Sequence, residues 1–377
     1  MSERPPKDRY FVSAPVDFLL IGGASLVLYF VCLYDKSFAS SSRLASLSLA
    51  LVWVCNYPHF ASTNYRLYRT RSNVRQYPMT ATLVPLLLLA VVVASYASPH
   101  AVAPLFVKLY LIWSPYHFSA QTLGITLIYA RRAGFDVRPW ERKAIAGFIF
   151  LTFAQGSAYA ELAGVKPQPF YAVTYPVLGL HEWLPRLLRD AMWVCLVAFG
   201  VMMLWRAVHD RQIIPWIVLL PAAAQAVWFV PRGGLYLVSF NYMVPFFHSL
   251  QYLLIAWSVQ MKESQDEAGA APSWRFVGVE SLRWAAICGA GGVLLFWALP
   301  HIGGHFGQPL GFSIAVVFAA VQVHHFFVDG VIWKLKNPRV QSPTMTTLRK
   351  LTGSTGGGAQ RAPARTGELT PVAVAAR

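Results

Sequence analysis

Apolar runs long enough to cross a bilayer recur along almost the whole chain, and they exclude an ordinary soluble fold. A span needs about 20 apolar residues. Ten segments fit: 15–34, 44–63, 79–97, 103–129, 144–162, 190–206, 212–230, 236–260, 283–300 and 309–333. A soluble domain would have to bury runs such as Thr82–Ala94 and Ala285–Leu299 on every side. Of the 377 residues, 56% are hydrophobic and 13% charged. The expected fold class is therefore all-α: a polytopic integral membrane protein with about ten transmembrane helices. Residues 1–336 read as one transmembrane domain. Residues 337–377, rich in Gly, Ser, Thr, Pro and Ala, read as a disordered cytoplasmic tail, because too little apolar surface is present to offset the cost of ordering. The loop around Lys262–Ser273 reads the same way.

The formal charge of +16 does not point to nucleic acid, because no basic stretch has the interleaved aromatics of a base-stacking platform. The charge follows the spans instead. With the N-terminus inside, the inner segments hold 25 of the 32 Lys and Arg residues. That bias predicts both termini in the cytoplasm, and the expected location is a cytoplasmic (bacterial inner) membrane. Arg66, Arg69 and Arg71, and the pair Arg131-Arg132, read as stop-transfer and headgroup contacts. Cys32, Cys55, Cys195 and Cys288 each lie alone in apolar sequence and read as small hydrophobes. No Walker, Rossmann or nucleophile-elbow motif is present.

Histidine is the residue type that stands out inside these spans. His59 follows Asn56-Tyr57-Pro58, His117 follows Pro115-Tyr116, His248 follows Pro245-Phe246-Phe247, and His324-His325 precede Phe326-Phe327. A titratable side chain in hydrocarbon is costly, so such residues face a bundle interior or a cavity. The four spans concerned are the second, fourth, eighth and tenth, which all run from outside to inside. Their histidines fall within roughly 10 Å of one another in depth at 1.5 Å per residue. One shared site is geometrically open to them.

Polar companions occur at helical same-face spacing: Asn56, Gln121, Gln251, Tyr252, Gln322 and Asp329. A ligating imidazole needs its second nitrogen held, and Asn56, Gln121, Gln251 and Asp329 are of the right type. Pro58, Pro115 and Pro245 lie beside three of the four places and can kink the helix there. The metal ligands expected are His59, His117, His248, His324 and His325, with Gln121, Tyr252 and Asp329 as catalytic companions. Several nitrogens and few carboxylates suit iron, zinc or copper over magnesium or calcium. Paired axial histidines on haem, a proton relay and plain interhelical hydrogen bonding are the competing readings.

Two of these stretches, His117-Phe118-Ser119-Ala120-Gln121 and His248-Ser249-Leu250-Gln251-Tyr252, resemble motifs of the Brp/Blh family, integral-membrane enzymes that cleave β-carotene to retinal. The resemblance implies one iron that activates dioxygen, held by His59, His117, His248 and one of His324 or His325. Two positions depart from the family pattern: Gln121 stands where an acid is expected, and Tyr252 where a second histidine is expected. The function expected is a histidine-ligated metal oxidoreductase or oxygenase acting on an apolar lipid, carotenoid or isoprenoid that enters from the bilayer. The alternative is a transporter or channel with an intramembrane ion or proton site. Membrane desaturases carry denser histidine clusters than this chain does.

Overall fold

The computed structural model describes residues 9–230, 240–334 and 342–354. Among the described residues it is almost wholly helical. Ten helices have 14 or more residues: α1 (Ala14–Tyr34), α2 (Ser42–Tyr68), α3 (Met79–Ala97), α4 (Val102–Arg132), α5 (Pro139–Ala160), α6 (Trp183–His209), α7 (Trp216–Phe229), α8 (Phe240–Glu267), α9 (Trp274–Gly304) and α10 (Leu310–Ile332). Six of them, α1, α2, α3, α6, α9 and α10, are each long and apolar enough to cross a membrane. The protein is therefore an integral membrane protein.

The other four helices lie at expected positions but differ in character. Helix α7 has only 14 residues. Helices α4, α5 and α8 are longer but turn polar residues into the bundle, among them Ser119, Thr126, Gln155, Ser258 and Gln260, and this lowers their mean hydropathy.

Proline shapes several of the helices. A wide π turn occupies Val52–Asn56 in α2, Met79–Leu83 in α3 and Leu294–Ala298 in α9. Each ends two residues before a proline: Pro58, Pro85 and Pro300. The proline ring has no N–H and clashes with the carbonyl one turn back, and a locally widened turn accommodates both. Pro115 and Pro245 are instead carried inside α-helix.

Helices α2, α4, α8 and α10 run in the same direction, as their C-terminal ends show. Arg66 of α2 pairs with Glu263 of α8 at 2.9 Å and lies 4.7 Å from the ring centre of Trp333, just past α10. Arg132, at the end of α4, donates to the carbonyls of Thr344 and Thr346 beyond α10. Helix α9 presses against the back of α2. A Cβ added at Gly292 would come within 3.0 Å of the Tyr57 backbone, and one at Gly291 within 2.8 Å of the Ala61 methyl. Phe296 of α9 stacks on Tyr57 at 4.3 Å.

Buried charges are paired rather than interfacial. Glu141 of α5 and Arg206 of α6, both nearly inaccessible, form a two-pronged pair at 2.7 Å. Asp17 is fully buried; its carboxylate accepts from the N–H groups of Phe11 and Val12 and from the Tyr129 hydroxyl. Lys108 pairs with Glu161, whose other oxygen accepts from the Leu178 N–H. The lysine therefore neither snorkels nor faces a substrate.

Three connections are more ordered than loops need be, and two of them depart from the sequence expectation. Within 163–189, strands β1 (Gln168–Phe170) and β2 (Val173–Tyr175) form an antiparallel hairpin whose aromatics pack on α4 and α10. The segment after Lys262 is not disordered: α8 continues to Glu267, and Gln265 bonds the Leu351 carbonyl. Residues 342–354 are likewise folded. Helix α11 (Leu348–Thr352) buries Leu351, and the Leu348 N–H donates to the Phe11 carbonyl. Composition misses this because the stabilising partners lie elsewhere in the chain. The remaining parts of 335–377 lie outside the described residues.

Candidate metal centre

Four histidines meet in the interior, one from each of α2, α4, α8 and α10. One nitrogen from each of His59, His117, His248 and His325 lies within 4.8 Å of every other. His59 and His325 are fully inaccessible, and His117 and His248 nearly so. The Nε2 of His325 lies 2.8 Å from that of His59 and 3.1 Å from that of His117. The His248 ring sits 5.2 Å from His59 and 5.1 Å from His117, between centroids.

Hydrogen bonding alone does not satisfy this arrangement. A neutral imidazole nitrogen offers either one N–H or one lone pair. His325 Nε2 therefore cannot match both His59 and His117, whichever tautomer each adopts. The Nδ1 atoms of His59 and His325 are also buried with no partner among the described residues. Unsatisfied polar atoms cost about 1–3 kcal/mol each when buried; an ion bound through Nε2 would answer the crowding of the Nε2 atoms, while the second nitrogens of His59 and His325 are not held by any described protein group.

A metal ion fits the spacing. With bonds of about 2.1 Å, a tetrahedral ion would hold its nitrogens about 3.4 Å apart, whereas nitrogens about 3 Å apart subtend roughly 90°. Two of the separations, 2.8 and 3.1 Å, are short enough for neighbouring ligands on one such ion. The donor set of neutral nitrogens suits a transition metal.

Asp329 adds a carboxylate at the edge of the cluster. One oxygen, Oδ2, lies 3.4 Å from His325 Nε2 and 3.7 Å from His117 Nε2. The other, Oδ1, accepts from the hydroxyls of Thr63 at 3.4 Å and Tyr252 at 3.3 Å. The Tyr252 hydroxyl also contacts Thr63 Oγ1 at 2.6 Å and accepts from Trp333 Nε1 at 3.1 Å. The Tyr252 ring stacks on His59 at 4.1 Å and 15°. Thr63 and Trp333 were not picked out from the sequence. Thr63 does sit four residues after His59, and Trp333 four after Asp329, so helical spacing carried that signal.

The remaining expected residues divide. Gln121 reaches the site indirectly, donating from Nε2 to the His248 carbonyl at 2.8 Å. Asn56 accepts from the Ser249 hydroxyl, Gln251 donates to the Ile21 carbonyl, and Gln322 donates to the Tyr110 hydroxyl. These three hold helices together rather than holding an imidazole. His324 is not part of the cluster. Its position is one residue, about 100° of helix, away from His325, and its ring stacks on Tyr68 instead, with Nε2 3.4 Å from the Tyr68 hydroxyl. Comparison with known protein families, with curated proteins and with solved structures finds no match for this chain.

Proposed function

We propose that His59, His117, His248 and His325 hold one transition-metal ion, iron being the choice that the Brp/Blh resemblance suggests, and that the protein is a membrane oxidoreductase acting on an apolar lipid or isoprenoid. The observation that carries this reading is the triple approach of His59, His325 and His117 through Nε2, which a single ion satisfies and hydrogen bonds do not. Such an ion with open positions would supply dioxygen activation. The reading includes all ten long helices as spans with both termini in the cytoplasm, as the distribution of Lys and Arg supports.

The chain's own residues then have distinct tasks. The four imidazoles bind and exclude water, since none is appreciably accessible. Asp329 offsets part of the cation's charge through Oδ2, and its Oδ1 is fixed by Thr63 and Tyr252. Tyr252 orients His59 by stacking and Asp329 by hydrogen bonding. Gln121 positions the backbone that carries His248. Contacts that hold metal-binding side chains in place tune metal affinity by about 10–100-fold.

The test is elemental analysis of the detergent-purified protein with an absorption spectrum of the same sample. About one iron per chain without a haem Soret band, lost in His117→Ala and His248→Ala, supports the reading. A folded protein that remains metal-free under conditions that load a control overturns it and favours transport.

A further inference from the structure

Beside the cluster, and sharing His117, Tyr252 and Asp329 with it, lies a cavity of about 280 Å³. Its long wall is one face of α4, from Trp113 through Tyr116, Ala120 and Gly124 to Ile128. These positions recur at helical spacing over 15 residues, roughly 22 Å of axis at 1.5 Å per residue. The opposite wall is α10, where Phe326 and Gly330 lie one turn apart, and Lys334 follows two residues beyond the end of the helix. Tyr252 and Ile255 of α8 form the floor, and His117 and Asp329 open into it.

Three features give this groove a chemistry. It is narrow for its length: a methylene occupies about the volume of a liquid water, roughly 30 Å³, so the space holds on the order of ten such groups in file. It is open sideways in mid-helix, where Tyr116, Ala120 and Gly330 are exposed. A Cβ at Gly124 or Gly330 would meet nothing within 4 Å, so neither glycine is required by packing. The absence of side chains there leaves the channel clear. At the C-terminal end of α10, Lys334 is exposed at the groove's mouth. A cation there, at the end of an apolar slot, complements an anionic head on an apolar chain.

We infer that the α4–α10 groove is a lateral entry that takes a single-chain anionic lipid, its acyl chain lying along Gly124 and Gly330 towards His117 and its head group on Lys334. The meaning of this site rests on the oxidoreductase reading, but its occupancy can be read independently. The ligand's shared chemistry is one linear chain with a carboxylate or phosphate head.

The test is photo-crosslinking of the full-length protein in neutral phosphatidylcholine vesicles with a diazirine-labelled stearate and its methyl ester. Labelled peptides are mapped by mass spectrometry. The expected result is label concentrated on 113–128 and 326–334. A leucine adds four carbons, roughly 120 Å³ at the same volume per carbon. Gly124→Leu and Gly330→Leu should therefore each lower that label about tenfold. Lys334→Gln should lower the acid's label by about tenfold, the worth of one charge-assisted hydrogen bond, and leave the ester's unchanged. Circular dichroism of each variant reports whether it is folded. Ala120→Leu serves as a second blocking variant if one glycine variant fails to fold. Displacement by unlabelled oleate but not by lysophosphatidate assigns a free acid, and the reverse assigns a single-chain phospholipid. Label spread evenly over the lipid-facing helices, or unaffected by the leucine variants, overturns the groove. Equal labelling by acid and ester in the Lys334 protein, or displacement by β-carotene alone, overturns the anionic chain. Metal content measured on the same samples separates the two proposals: a labelled groove in a metal-free protein retains the entry site and removes the oxidoreductase reading.

Discussion

Removing one oxygen from the site gives its most demanding test. Tyr252→Phe leaves the ring that stacks on His59 at 4.1 Å in place and deletes only the hydroxyl. That hydroxyl contacts Thr63 at 2.6 Å, Trp333 at 3.1 Å and Asp329 at 3.3 Å. Each such bond has a net worth of about 0.5–1.5 kcal/mol. Thr63 keeps the His59 carbonyl and the Asp329 carboxylate as partners, so the net loss is about two bonds, roughly 1–3 kcal/mol. What changes is the anchoring of Asp329, because one of its two hydroxyl donors is gone. At 1.4 kcal/mol per tenfold, this corresponds to a drop in metal affinity between about fivefold and a hundredfold, the range known for residues that orient ligands. The assay is competition for iron(II) against a chelator of known strength, under anaerobic conditions, with wild-type and variant protein at equal concentration. An unchanged affinity would refute the network as an orienting device. A loss as complete as that of His325→Ala would refute the placing of Tyr252 behind the ligands and make it a ligand itself.

The adjacent histidines should behave oppositely. His325→Ala is expected to abolish stoichiometric metal and His324→Ala to retain it, as read by elemental analysis of folded protein. Glu141→Ala leaves Arg206 with the Asp136 carbonyl, the Gln212 side chain and Asp210 at 3.7 Å, so the cost lies below the about 3–5 kcal/mol of a fully orphaned buried charge; thermal unfolding in detergent should still show a fall, and an unchanged midpoint would argue against the buried pair. Truncation after residue 341 removes the Thr344 and Thr346 carbonyls from Arg132 and Leu348 from Phe11. It should lower the unfolding temperature while leaving the histidine cluster able to take up metal, because none of those contacts reaches the site.

Much of this arrangement follows local rules and was readable in the chain. Apolar runs at span length placed the ten long helices, and a common direction followed from counting spans. The polar companions of the histidines also lay at one-turn spacing. The failures share a different physical cause. Whether Asn56, Gln251 or Gln322 turns to an imidazole or to another helix depends on which neighbour is in reach, and Ser249, Ile21 and Tyr110 come from distant parts of the sequence. His324 and His325 are equivalent to any composition rule and are distinguished only by the rotation of α10 against α2 and α4. The partners of Asp17 and Lys108, Tyr129 and Glu161, cannot be assigned without the fold. Leu351 is a single apolar residue in a polar tail, and only its seat in the bundle reveals its role.

The cluster draws on residues that are up to 266 positions apart, and His325, the one that touches both His59 and His117, comes from the last long helix. The first three imidazoles are synthesised before the fourth. The centre therefore comes into being only when α10 docks against α2 and α4. On the proposed metal reading, ion uptake would report completed assembly, because a chain stalled or mispacked before its final helix lacks His325.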